Sequence, residues 1–248
     1  MTGRPDPVGP DRRAALTAGL AVVRTRIADA CAAAGRDPAG VTMIAVTKTY
    51  PAGDAVALTG LGVTDLGENR DQEAAPKAAE VAAAGVTARW HFIGQLQRNK
   101  ARSVVRYADV VHSVDSVRLA RALATAAESG RDRPLETLVQ VSIDGDAARG
   151  GALPGAADAD RGLGPVAEAL AGLGSLRLAG LMAVAPLGWE PERAFARLAE
   201  VAEGFRAGHP AATALSAGMS GDLEVAIGYG ATHVRVGSAL LGMRSTLR

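Results

Sequence analysis

The 248-residue chain has little of what marks several classes of protein. Its one cysteine, Cys31, can form neither an internal disulfide bond nor a thiolate metal site, so a reducing cytoplasm is the expected location. Lys and Arg total 27 against 26 Asp and Glu, which leaves no cationic excess for binding nucleic acid. No uncharged apolar run reaches the roughly 18 residues of a membrane span, and the polar residues 1–10 predict no signal peptide.

The composition favours one soluble domain over residues 1–248. Hydrophobic residues make up 48% of the chain and charged residues 21%, which is typical of a compact domain that buries one core. No segment has the composition of an interdomain linker. The Gly-, Ala- and Asp-rich residues 144–164 predict a loop inserted between two repeats of the same domain.

The order of the predicted elements indicates a barrel. A leading amphipathic helix is predicted over residues 12–34, and short apolar runs then alternate with Ala-rich helical stretches. The predicted strands are residues 41–47, 63–67, 90–94, 110–114, 135–143, 178–184, 213–216 and 233–237. The other predicted helices are residues 72–84, 99–107, 116–128, 166–173, 191–206 and 223–229.

Eight strands in about 250 residues predict an α/β fold of the (β/α)₈ TIM-barrel type, with an extra N-terminal helix. The alternative is an open, doubly wound sheet. That architecture usually carries a G-x-G-x-x-G pattern after its first strand, whereas the first strand here is followed by residues 47–51 (TKTYP). The barrel is therefore favoured, and its functional groups are expected at the carboxyl ends of the strands.

Lys48 is the first candidate at that end of the barrel. It follows the apolar first strand, so we expect its stem to leave the barrel wall and its amine to point into the mouth. Desolvation there would lower the pKa of the amine and yield the neutral nucleophile that forms a Schiff base with an aldehyde. The alternative is a solvated lysine that merely follows a strand.

Residues 215–224 (LSAGMSGDLE) form a second candidate site, a turn of small residues between a strand and a helix. Main-chain amides in such a turn bind phosphate without a cationic side chain. The alternative is an ordinary helix start with Ser220 as its N-cap. Strand eight ends at Gly237 and Ser238, whose amides add to the turn, because such barrels often hold phosphate in the loops after strands seven and eight.

Arg235 lies within the apolar eighth strand, and period-two alternation places it on the same face as His233. A buried guanidinium keeps its proton, so it can donate to an uncharged ring nitrogen. The alternative is a salt bridge to a nearby carboxylate.

Two further features concern the strand ends and the histidines. Asn69 follows strand two and can hydrogen-bond a ligand hydroxyl, whereas residues 90–92 are interpreted as core aromatics with a satisfied histidine. The four histidines show no metal-ligand spacing with each other or with Cys31, so no metal site is predicted.

Six motifs together resemble the pyridoxal phosphate homeostasis protein family. They occur in that family's order and span nearly the whole chain. They are residues 46–51 (VTKTYP), 67–73 (GENRDQE), 90–100 (WHFIGQLQRNK), 112–116 (HSVDS), 180–182 (GLM) and 216–222 (SAGMSGD). The resemblance implies a single-domain fold-type III barrel, similar to the N-terminal domain of alanine racemase, that carries pyridoxal 5′-phosphate (PLP) and has no established catalytic activity.

The same resemblance implies the roles of the site residues. It places the Schiff base on Lys48, the phosphate on Ser216 and the amides of Gly237 and Ser238, and the pyridine nitrogen opposite Arg235. The implied function is intracellular PLP homeostasis, with apoenzymes that need PLP as possible recipients.

Two other functions stay open. The first is an amino-acid racemase or related PLP enzyme, which needs a second acid or base opposite Lys48; in alanine racemase a tyrosine from the second domain of a partner subunit supplies it. The tyrosines of this chain, Tyr50, Tyr107 and Tyr229, lie in no motif that predicts this position, and a monomer without substantial turnover is expected. The second is a barrel that binds another phosphate ester.

Overall fold

The computed structural model describes residues 8–242, which fold around a closed barrel of eight parallel strands. Each strand pairs with the next along the chain, and β8 closes the barrel against β1. The strands are β1 (Thr42–Val46), β2 (Asp65–Glu68), β3 (Arg89–Phe92), β4 (Val110–Val114), β5 (Leu135–Gln140), β6 (Leu176–Met182), β7 (Ala214–Met219) and β8 (His233–Val236).

Helices lie between successive strands, as right-handed β-α-β connections require. They are α1 (Pro10–Ala33), α2 (Ala52–Gly60), α3 (Asp71–Ala83), α4 (Ala101–Val104), α5 (Val117–Gly130), α6 (Leu163–Gly172), α7 (Pro191–Gly208), α8 (Leu223–Gly228) and α9 (Ser238–Leu241). Short 3₁₀ turns occur at Pro38–Gly40, Arg98–Lys100 and Ala147–Arg149. Within residues 8–242, no helix is long and apolar enough to cross a membrane.

The predicted barrel, its eight strands and its leading helix are confirmed. In α1 the residues that set the predicted period are all buried: Leu16, Leu20, Val23 and Ile27. Several details differ. The short helices α2 and α9 were not predicted, and the helix predicted over residues 99–107 is regular only in α4. β5 ends at Gln140 rather than at residue 143, and β7 ends at Met219 rather than at residue 216. Much of the segment interpreted for a signal peptide, residues 1–7, lies outside the described residues.

The extra helix α1 packs against the side of the barrel that carries α8 and α9. Gly19 makes this close approach possible, because a Cβ there would lie 2.4 Å from the Leu240 carbonyl oxygen. Arg26 forms an ion pair with Glu224, and its Nη1 donates to the main-chain oxygen of Ser220 at 2.9 Å. α1 therefore braces the turn that follows β7.

Candidate functional site

A strained turn carries Lys48 at the carboxyl end of β1. The Tyr50 N–H donates to the Thr47 oxygen at 3.0 Å, which closes the turn. Thr49, at φ +67°, is the one non-glycine residue among residues 8–242 with positive φ. Such a backbone costs a β-branched residue on the order of 1–3 kcal/mol. The Glu73 carboxylate offsets part of this cost by accepting from the Thr49 N–H at 3.0 Å.

Lys48 itself is exposed. The prediction that the protein alone desolvates its amine is therefore wrong. The reason is that β1 ends at Val46, so the turn carries Lys48 beyond the barrel wall rather than along it.

A buried ion pair supports this turn from beneath. Lys77 Nζ pairs with Glu68, and the side chains are 7% and 1% exposed. The same Nζ donates to the Thr47 oxygen at 2.7 Å, and the Thr47 hydroxyl donates to Glu68 Oε1 at 2.7 Å. No role was predicted for Lys77 from the sequence. The available signal was its position in the apolar stripe of α3, beside the buried Ala74 and Ala78.

Two main-chain amides meet on one oxygen at the ends of β7 and β8. Ser220 Oγ accepts from the N–H of Gly237 at 3.2 Å and from that of Ala239 at 3.3 Å. Ser238 lies between these two residues in the chain. The end of β7, just before Ser220, requires Gly218, whose φ is +86° and where a Cβ would lie 2.6 Å from the Ala226 Cβ. The geometry thus holds an acceptor oxygen in an amide cradle, which we call the 237–239 cradle.

Ser216 does not reach this cradle. Its side chain is fully buried in the barrel, and its Oγ lies 3.0 Å from His112 Nδ1 and 2.8 Å from Arg235 Nη1, which donates to it. The structure brings Gly237 and Ala239, the two neighbours of Ser238, together with Ser220 instead. Residues 216–222 contain two serines, and β7 runs through Met219, so the first serine lies within the strand and only the second lies in the turn.

Arg235 is 5% exposed and lies inside the barrel. Its Nη1 donates to Ser216 Oγ, and its Nη2 donates to the Ala183 oxygen at 2.9 Å. The alternative of a salt bridge is not what the structure shows, since no carboxylate of residues 8–242 lies within 4.0 Å of the guanidinium nitrogens. Burial lowers the pKa of Arg235 to about 10. The site thus holds a buried cation with no carboxylate in direct contact from the described part of the chain, and Asp222 acts on it only at longer range.

Three histidines lie beneath Arg235. The His91 and His112 rings are 5.1 Å apart, and His233 lies 6.4 Å and 6.3 Å from them. Both nitrogens of the buried His91 have partners, Asp65 and His112, so the interpretation of a satisfied core histidine is confirmed. Among the described residues, no group of three or more His, Cys, Asp or Glu side chains is arranged to hold a metal ion.

Asn69 lies partly buried where β2 ends. The loop after β3 passes close to it, because a Cβ on Gly94 would lie 2.0 Å from the Asn69 main-chain oxygen. The absence of a side chain at Gly94 therefore sets the position of the Asn69 backbone.

The histidines predict that acid destabilises the fold. Burial is the main cause that lowers the pKa of His233 from 6.5 to about 4. Between these pH values the unfolded chain binds more protons than the folded chain, so the free energy of unfolding falls as the pH falls from 6.5 to 4. The loss through His233 alone amounts to about 3 kcal/mol. Burial also lowers the pKa of His112, which acts in the same direction.

Urea unfolding between pH 7.5 and 4.5 measures this effect. We expect His233→Gln to flatten the dependence on pH, whereas the same change at His209, which lies at the end of α7, leaves it intact. A pH dependence that His233→Gln does not change would contradict the assignment to the partly buried His233 ring.

The fold and the site define the class of protein first. A closed parallel barrel with a lysine after its first strand and an amide cradle after its last two strands agrees with the family model "Alanine racemase, N-terminal domain", which matches residues 20–245. The alanine racemase of Corynebacterium glutamicum has a TM-score of 0.67 over 95% of this chain and 63% of that one. At 14% identity this likeness shows the fold alone.

Closer relatives identify the family. The pyridoxal phosphate homeostasis protein of Mycobacterium tuberculosis is 46% identical over 251 residues, which cover 95% of each chain. That of Escherichia coli K12 is 37% identical, with 91% and 95% coverage. PipY of Synechococcus elongatus, whose structure was solved with PLP bound, is 32% identical with a TM-score of 0.73, over 92% of this chain and 100% of that one. The chain belongs to the pyridoxal phosphate homeostasis protein family.

Proposed function

We propose that this protein binds PLP in the barrel mouth, as a Schiff base on Lys48, and serves PLP homeostasis without substantial catalytic turnover. One observation carries the proposal: the lysine turn and the 237–239 cradle adjoin each other at the same end of the barrel. β1 pairs with β8, and a Cβ on Gly237 would lie 3.5 Å from the Cβ of Val46, two residues before Lys48. A single ligand with an aldehyde and a phosphate can therefore reach both.

The residues present fit that ligand. The 237–239 cradle already holds one acceptor oxygen, that of Ser220, as a phosphate oxygen would be held. We assign phosphate binding to Ser220 and to the amides of Gly237 and Ser238, and we withdraw it from Ser216. Asn69 is the candidate partner of the ring hydroxyl.

PLP supplies an aldehyde that forms a reversible carbon–nitrogen bond with an amine, with loss of water. Lys48 serves as that amine once its ammonium has lost a proton. Its exposure at the mouth gives an incoming amine access to the same bond, so release by amine exchange is possible without movement of the barrel.

Arg235 supports a holding role over a catalytic one. The guanidinium keeps its proton, so it donates to a ring nitrogen that stays unprotonated. An unprotonated ring is a poorer electron sink, which disfavours the carbanion chemistry of a racemase.

The tyrosines support the same conclusion. The Tyr50 hydroxyl donates to the Gly242 oxygen at 2.6 Å. Tyr107 OH is buried near Asp71, and burial raises its pKa, so it is a poor acid or base. Tyr229 follows the end of α8, at the opposite end of the barrel. None of the three is placed as a second acid or base opposite Lys48.

Titration of the purified protein with PLP tests the proposal, followed by assays of amino-acid racemisation. We expect stoichiometric uptake with a Schiff-base absorption band, and at most trace racemisation of common L-amino acids. Failure to take up PLP would overturn the binding proposal and favour another phosphate ester. Turnover at about 1 to 10³ s⁻¹ would identify a racemase instead.

The proposal includes a cellular setting. The one cysteine, Cys31, is buried and unpaired, which is compatible with the cytoplasm. The proposal also includes apoenzymes as recipients of PLP and a monomeric state of the protein. Sedimentation at micromolar concentration tests the monomeric state.

A further inference from the structure

A chain of hydrogen bonds crosses the barrel interior from Asp65 to Arg235. Asp65 Oδ1 lies 2.8 Å from His91 Nε2, and His91 Nδ1 lies 2.9 Å from His112 Nε2. His112 Nδ1 lies 3.0 Å from Ser216 Oγ, which accepts from Arg235 at 2.8 Å. Five side chains from β2, β3, β4, β7 and β8 thus form one connected network.

The two ends of the network fix the direction of its first and last bonds. A guanidinium only donates, and a carboxylate only accepts. Since Asp65 accepts, His91 carries a proton on Nε2. When that is its only proton, its Nδ1 accepts from the Nε2–H of His112. The Nδ1 of His112 then accepts the proton of the Ser216 hydroxyl. Each ring is neutral, and each donor in the network has an acceptor.

The reverse arrangement leaves a donor unsatisfied. If His91 carried two protons, His112 would donate from Nδ1 to Ser216. Ser216 Oγ would then accept from both His112 and Arg235, and its own proton would have no acceptor among its contacts. A buried hydroxyl donor without a partner costs about 1–3 kcal/mol, so the neutral arrangement is favoured. It also avoids a second cation near Arg235.

We infer that Asp65, His91, His112 and Ser216 are positioning residues for Arg235. Because the Ser216 proton is committed to His112, Ser216 presents only lone pairs to the guanidinium. With the Ala183 oxygen, it holds the guanidinium at two points, one on each terminal nitrogen. The consequence rests on the proposed function: when PLP is bound, the network fixes the Arg235 guanidinium as the donor opposite the pyridine nitrogen of PLP.

Nitrogen NMR of the full-length protein labelled at histidine tests the network directly, with and without PLP. We expect neutral rings protonated at Nε2 for both His91 and His112. Protonation of His112 at Nδ1, or a cationic His91 at neutral pH, would overturn the inference. This readout does not depend on whether the protein takes up PLP.

Binding of PLP and of pyridoxal, which lacks the phosphate, separates the two serines. We expect Ser216→Ala to weaken both ligands by the same factor, about tenfold, and to shift the Schiff-base absorption band. Ser220→Ala should weaken PLP about tenfold more than pyridoxal, and the exposed control Ser129→Ala should change neither. If Ser216→Ala weakened PLP alone, Ser216 would be a phosphate ligand and the inference would be wrong.

His112→Leu tests whether the effect passes along the network, because the hydrogen bonds of His112 reach Arg235 only through Ser216. We expect the same shift of the absorption band as in Ser216→Ala. An unshifted band in a folded His112→Leu variant would contradict the inference. If that variant does not fold, the inference is still tested by the ring protonation states of His91 and His112 and by ligand binding to Ser216→Ala. If the wild-type protein binds neither PLP nor pyridoxal, the proposed function is wrong. The NMR experiment then still tests the hydrogen-bond network, because it does not depend on ligand binding.

Discussion

Replacing Lys48 with alanine is expected to abolish the Schiff-base absorption band completely. The chain has three lysines, Lys48, Lys77 and Lys100, so few side-chain amines compete for the aldehyde. Lys77 is buried in its ion pair with Glu68. Lys100 lies in the 3₁₀ turn Arg98–Lys100 after β3, whereas β1, which leads to Lys48, pairs with the strand that ends at the cradle.

Borohydride reduction followed by peptide mass mapping measures where the cofactor is attached. In the wild-type protein the reduced adduct should map to Lys48, with none on the other two lysines. Lys100→Ala is the matched control and should keep the band, while Lys48→Arg keeps the charge and should lose it. An adduct on Lys100, or a band that survives in Lys48→Ala, would refute the site.

The barrel was predictable because its strands are buried on both faces. Such strands occur in the sequence as short apolar runs, and eight of them alternate with Ala-rich helical stretches. α2 escaped notice because its nine residues, AGDAVALTG, include two glycines and offer too few turns for a clear period. Likewise, α4 is short, and the 3₁₀ turn before it holds a pattern that resembled one longer helix.

The sequence indicated most residues of the site, but it did not indicate which of them contact each other. Lys48 and Gly237 follow strand ends, a position that the sequence alone indicates. The choice between Ser216 and Ser220 depends on where β7 stops, and a difference of a few residues moves a side chain from the mouth into the barrel. The exposure of Lys48 depends in the same way on the turn at Thr49.

The hydrogen-bond network that holds Arg235 could not be predicted from the spacing of its residues in the sequence. His91 and His112 lie on neighbouring strands, but their ring contact depends on the stagger of those strands around the barrel. Alternation along β8 did place His233 and Arg235 on one face. The contacts among these interior side chains could be identified only from the structure of the closed barrel.

The second large expected effect concerns the ion pair beneath the lysine turn. Lys77→Met should lower the free energy of unfolding by about 3–5 kcal/mol, because it leaves the Glu68 carboxylate buried without its cation. Glu68 has little to compensate, since its Oε2 has no hydrogen-bond partner among the described residues. The loss of the bond from Lys77 to the Thr47 oxygen should also loosen the turn and weaken PLP binding.

The double variant Glu68→Gln/Lys77→Met separates these two effects. Removing both charges should restore most of the free energy of unfolding in urea, because no uncompensated charge stays buried. PLP affinity should recover only in part, since the Thr47 oxygen still lacks the hydrogen bond from Lys77. The exposed Glu80 on the same helix provides the control, and Glu80→Ala should change stability by less than about 0.5 kcal/mol. Full recovery of affinity in the double variant would show that Lys77 stabilises the barrel without positioning Lys48.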